Sequence, residues 1–173
     1  MAACIADNSG LPPTAAVTVD RLSQNDFMTI HTTHIRPGLA FDVFTVQRSI
    51  FLESGALNPQ FAGFGLAWYQ SDLQIDSNGN GSASVRSILL DQIFGFDSDA
   101  PVLTPRHTFN VGFWFNNPND AAGCGFNPNK PTPFNGEHRA GPVAMISVPN
   151  PATHIGPLCT NPDFTTNPTT CKP

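Results

Sequence analysis

The run Thr108-Phe109-Asn110-Val111-Gly112-Phe113-Trp114-Phe115 places Phe109, Val111, Phe113 and Phe115 at every second position. A strand turns such a set onto one face of a sheet, whereas a helix would scatter it around its circumference. Shorter runs of the same kind recur along the chain, which holds fourteen Phe against one Tyr and two Trp while only 12% of its residues are charged. The chain is therefore expected to build an all-β core. Helices have little to draw on, because Glu53 and Glu137 are the only glutamates and Lys130 and Lys172 the only lysines, so the i,i+4 Glu/Lys pairs of solvated helices are missing.

Six strands can be read from β-branched and aromatic alternation: 15–22, 27–35, 40–48, 64–75, 81–90 and 107–115, with a further one at 143–148. In 40–48, Phe41, Val43 and Thr45 share one face and Asp42, Phe44 and Val46 the other, so a central position is expected. The segment 49–61, broken by Gly55 and Pro59, is expected to be a loop. Between 75 and 81 the sequence Asp76-Ser77-Asn78-Gly79-Asn80-Gly81 predicts a tight hairpin turn, because these residues tolerate positive φ. Six Asn-Pro dipeptides, beginning at Asn58, Asn117, Asn127, Asn150, Asn161 and Asn167, mark further turn starts. With 173 residues the chain has room for one full two-layer core. The expected architecture is a single-domain antiparallel β-sandwich of Greek-key type with seven or eight strands. It would comprise an N-terminal segment 1–14, a sandwich 15–148 and a Pro-rich tail 149–173 pinned by cysteines.

The net charge of -5 and the absence of a basic cluster remove the counterion-release term on which nucleic-acid binding rests. No stretch reaches the roughly 18 apolar residues of a membrane helix. Low charge, Asn/Thr/Pro richness and four cysteines suit an extracellular protein, with Met1 standing where a removed signal peptide ended; a cytosolic protein with four free thiols is the competing reading. Four cysteines allow three pairings, and Cys159 with Cys171 plus Cys4 with Cys124 is the expected one, since it closes a small loop in the tail and ties the N-terminus to the long segment around Cys124.

Chemistry is sparsely signalled. His31 and His34 are three apart, a spacing that puts strand side chains on opposite faces, and no His-x-His occurs. His107, Glu137 and His138 form the one candidate transition-metal set, weighed against solvated histidines. Asp76, Asn78 and Asn80 match the first half of a calcium loop, but the twelfth position is Ser87 rather than Glu, which favours a plain turn. No G-x-S-x-G nucleophile elbow is present, and the glutamates at 53 and 137 carry no sign of proximity. Trp68, Tyr69, Gln70 and Trp114 suggest an aromatic sugar platform, set against the commoner fate of sheet aromatics, which is burial.

The segments 65–73 (GLAWYQSDL), 91–97 (DQIFGFD), 112–116 (GFWFN) and 132–138 (TPFNGEH) resemble those of a group of uncharacterised, mostly signal-peptide-bearing proteins of soil bacteria, over about Ala15 to Pro162. That resemblance implies an extracellular location. A fainter similarity of layout to chordin-type domains and copper/zinc superoxide dismutases would set 107–113 and Gly141-Pro142-Val143 in their His-rich strand and closing segment, but the dismutase His-x-His ligands have no counterpart. The expectation is a secreted, non-catalytic binding or structural module of the bacterial surface, with itself or an extracellular ligand as partner. Two rival expectations are a metal-dependent extracellular protein or enzyme and a calcium-stabilised adhesin.

Overall fold

The structure, a computed structural model, describes residues 2–22, 25–88, 108–129, 142–151, 156–159, 162–163, 165 and 170–171, and the backbone alone of Arg21, Ser87, Ile88, Cys159, Pro162, Asp163, Thr170 and Cys171. The fold is an all-β sandwich of two antiparallel sheets. The first holds β1 (Thr14–Arg21), β2 (Asp26–Thr33) and β5 (Gly81–Ile88) in the order β1-β2-β5. The second runs β4 (Ala67–Gln74), β3 (Ala40–Val46), β6 (Thr108–Phe115), β7 (Val143–Ile146), and β6 also pairs with the short β8 (Leu158–Cys159). Two more short strands, β9 (Pro162–Asp163) and β10 (Thr170–Cys171), pair with each other in the tail. A one-turn helix α1 (Ala2–Ile5) opens the chain and another, α2 (Pro118–Ala122), follows β6. Among the described residues no helix is long and apolar enough to cross a membrane.

Each strand repeats the logic of its sequence. In β2 the side chains of Met28, Ile30 and Thr32 are buried while His31 is exposed, the period-2 pattern of a sheet with one covered face. The outward Phe27 pairs directly with Arg86 of β5, whose guanidinium lies 5.3 Å from the ring centroid. β3 is central, as its two apolar faces predict: Phe41 through Val46 are all buried. β6 goes further than its alternation suggests, being buried at all eight positions, Thr108 and Asn110 included. An inward amide is tolerated there because its groups are engaged: Asn110 Nδ2 donates to the Gln47 carbonyl (3.3 Å) and Oδ1 accepts from Ser147 Oγ (3.1 Å).

The turn at 76–81 has the predicted chemistry but a different topology. Asp76 N donates to the Asn80 carbonyl (2.8 Å), Gly79 N to the Asp76 carbonyl (3.2 Å), and Gly79 takes a φ of 80°. Only Ile75 and Gly81 pair across it, and β4 and β5 then enter different sheets, so the element is an arch rather than a hairpin. Gly81 permits this: a Cβ there would lie 2.6 Å from Thr32 Oγ1 and 2.8 Å from Ile75 Cδ1. The Asn-Pro reading holds at the three positions whose side-chain bonds are described. The carboxamide oxygens of Asn58, Asn117 and Asn127 each accept from the backbone N two residues on, at 3.0, 3.0 and 2.9 Å. At Asn117 this Asx bond caps α2, with Pro118 in its first turn, so the dipeptide read as a turn start opens a helical turn.

The chain divides into two compact units, one made of Met1–Val43, Tyr69–Ile88 and Phe113–Met145, the other of Phe44–Trp68, Leu89–Gly112 and Ile146–Pro173. In the first, Cys4 and Cys124 form a disulfide (Cα–Cα 5.3 Å) that joins the N-terminal helix to the turn after α2. Ile5 is almost fully buried, Arg36 N donates to its carbonyl (2.7 Å), and Ala6 pairs with Ile35. The expected Cys159–Cys171 bond involves side chains outside the described residues.

Candidate functional site

The second unit contains a groove, and the segment after β3 explains it. Ser49 Oγ accepts from Phe51 N (3.1 Å), Phe51 pairs with Leu57, and Gly55, at a φ of 80°, closes the turn between them. Asn58 N donates to the Ile50 carbonyl (2.7 Å) and Phe61 N to the Asn58 carbonyl (3.1 Å). Strand-like bonds from Gln47 N to Leu66 O and Arg48 N to Phe64 O then shut the loop at its base. Because its backbone groups bond one another, the loop holds a defined shape without regular secondary structure.

A cavity of about 370 Å³ lies against this loop. Gln47 and Asn110, both nearly fully buried, line it together with Asn58, Gln60, Ser49, Phe51 and Phe61. Phe61 is held by an edge contact with Phe64 (centroids 4.8 Å apart, 66° between planes). Arg48 and Glu53 also reach the cavity, one charge of each sign. The Arg48 guanidinium rests where Gly65, at a φ of 72°, has no Cβ to exclude it.

The described residues singled out by sequence fall elsewhere. His107, Glu137 and His138 lie outside the described residues. Asp76 Oδ1 accepts from Asn78 N (2.8 Å) and Asn80 N (2.9 Å), so it serves the turn directly, and Asn78 and Asn80 contribute backbone amides to it. Among the described residues no group of three His, Cys, Asp or Glu is placed to hold an ion. His31 faces Ser82 across the β2–β5 pair (3.3 Å), whereas His34, the one described non-glycine with positive φ (60°), turns to Asp7 at 3.6 Å, so the two imidazoles have separate partners.

Ser9, His34 and Asp7 meet at the N-terminal segment. Ser9 Oγ lies 3.3 Å from His34 Nδ1 and donates to Asp7 Oδ1. Both partners approach the same ring nitrogen, so no relay from serine through the imidazole to a carboxylate can form. The cluster is instead a clasp: the Ser9 hydroxyl and backbone N–H, helped by the His34 ring, hold the Asp7 carboxyl below its ordinary range.

Of the expected aromatic platform, Trp114 is 1% exposed and belongs to the core, while Trp68 and Tyr69 are exposed. Tyr69 Oη donates to Asp72 Oδ1 (2.8 Å). Partial burial, that bond and the charges of Asp72 and Asp42 push the phenol up to about 12. As it is the chain's one tyrosine, absorbance at 295 nm is expected to stay flat to about pH 11 and rise near 12 in a single step. Ionisation near the ordinary phenol value of about 10 would show that the bond to Asp72 does not persist in solution. A phenol raised in the folded state adds stability below the unfolded value, and that contribution disappears as pH climbs through about 12.

No protein-family model matches the chain, and no curated protein is significantly similar to it in sequence.

Proposed function

We propose that the chain is a secreted, non-catalytic binding module whose ligand site is the groove beside the 49–62 loop. One observation carries this reading: a self-bonded loop and a buried strand amide bring four carboxamide side chains and two phenyl rings around one cavity of about 370 Å³. That volume falls at the lower end of small-molecule sites, roughly 300–1,000 Å³. Amide, hydroxyl and phenyl groups hold a ligand by hydrogen bonds and contact, and none of them exchanges protons near neutral pH. The extracellular assignment is supported by the Cys4–Cys124 bond, which persists in an oxidising compartment, and by the resemblance to signal-peptide-bearing proteins.

Crystals of the oxidised protein soaked separately in glycerol, acetamide and phenol test the reading. All three probes are expected to collect in the groove, in contact with Asn58, Gln60 or Phe61. Probes spread over the surface with none in the groove would refute it.

A further inference from the structure

The composition of the groove names a ligand class, an inference that rests on the binding-module reading above. We infer that the groove accepts a neutral saccharide, one or two sugar rings in size. A sugar hydroxyl both donates and accepts, and a carboxamide offers a paired donor and acceptor in one plane. Exposed Gln60 supplies such a pair, and Asn58, whose Oδ1 accepts from Gln60 N, adds an Nδ2 donor. The amides of Gln47 and Asn110 are engaged with Leu66 N, the Gln47 carbonyl and Ser147, and give the lining its polar character. Ser49 adds a hydroxyl.

A sugar ring also carries an apolar C–H face that needs a flat partner. Phe61, half-buried and fixed by Phe64, supplies one, and Phe51 supplies a second surface in the same groove. The lining carries one guanidinium, Arg48, and one carboxylate, Glu53, so a charged ligand finds no net attraction there to offset the cost of leaving water. An anionic sugar meets Glu53, a cationic one Arg48. The loop that carries Ser49, Phe51, Asn58, Gln60 and Phe61 is tied by its own hydrogen bonds, so little ordering cost opposes binding.

The test is a ¹H–¹⁵N NMR titration of the oxidised full chain with glucose, galactose, N-acetylglucosamine, maltose and cellobiose, alongside glucuronate and glucosamine. At least one neutral sugar is expected to shift the amides of Ser49, Phe51, Gln60 and Phe61 together, and to bind about tenfold more tightly than its charged analogue, a difference of about 1.4 kcal/mol. Phe61→Ala is expected to weaken it about tenfold, and so is Gln60→Ala, which alters an exposed side chain and leaves packing intact. Tighter binding of glucuronate or glucosamine overturns the neutral-ligand inference. If glycerol, acetamide and phenol enter the groove and no sugar shifts its amides, the saccharide inference fails while the binding groove stands; if neither probes nor sugars enter, both fail.

Discussion

Replacing Cys4 and Cys124 together by serine is expected to cost about 4 kcal/mol of stability, within the roughly 2–5 kcal/mol that loss of a native disulfide brings. The bond spans a sequence separation of 120, so it removes much of the unfolded chain's freedom, and it fastens α1, whose Ile5 is buried. For a chain of this length, about 2–4 °C per kcal/mol gives a fall in Tm of about 8–16 °C. Calorimetry of wild type and the double variant, both without reductant, measures it. A change under about 1 kcal/mol would show that the N-terminal segment contributes little to the fold.

The second large effect is expected at Trp114. It is 1% exposed on β6, the strand buried at every position, and truncation leaves a cavity that its neighbours cannot fill. Trp114→Ala is expected to cost about 3–5 kcal/mol in urea or guanidinium unfolding. Trp68→Ala, at a side chain 40% exposed, serves as the contrast and should cost about 1 kcal/mol or less. Since these are the chain's two tryptophans, the fluorescence of each variant also reports the other residue's surroundings, blue-shifted for Trp114 and red-shifted for Trp68. Similar costs at both positions would contradict the placement of β6.

Particular residues show why some of this could be read from sequence and some could not. The central place of β3 was legible because Phe41, Val43, Phe44 and Val46 occupy both faces of one short run. Turn chemistry was legible at 76–81, since Asp76, Asn78 and Gly79 state the local backbone conformation. The sheet membership of the flanking strands was not, because local chemistry carries no long-range pairing and Gly81 lets the chain leave the pair after one bridge. At Asn117 one and the same Asx bond begins a turn or caps a helix, so α2 was hidden beneath a correct reading of the dipeptide.

The groove left the fewest traces. Its residues run from Gln47 to Gly156 with no fixed spacing, and neutral amides lack the periodic or charge signature that marks metal and catalytic sites. One signal was present in Asn110, a carboxamide in the middle of an aromatic strand, which requires buried polar partners nearby. The partners themselves, the Gln47 carbonyl and Ser147, become visible only when β3 and the segment after β7 are placed beside it.

The central claim is the proposal that this sandwich binds a neutral saccharide through the 49–62 loop groove. Affinity electrophoresis of the oxidised protein through native gels containing a neutral polysaccharide, starch in one and a cellulose-derived β-glucan in another, tests it most directly. The account predicts retardation of wild type in at least one gel, lost in Phe61→Ala and retained in Tyr69→Phe. Retardation unchanged by Phe61→Ala, or wild-type mobility equal to that of a non-binding reference protein in both gels, would contradict it.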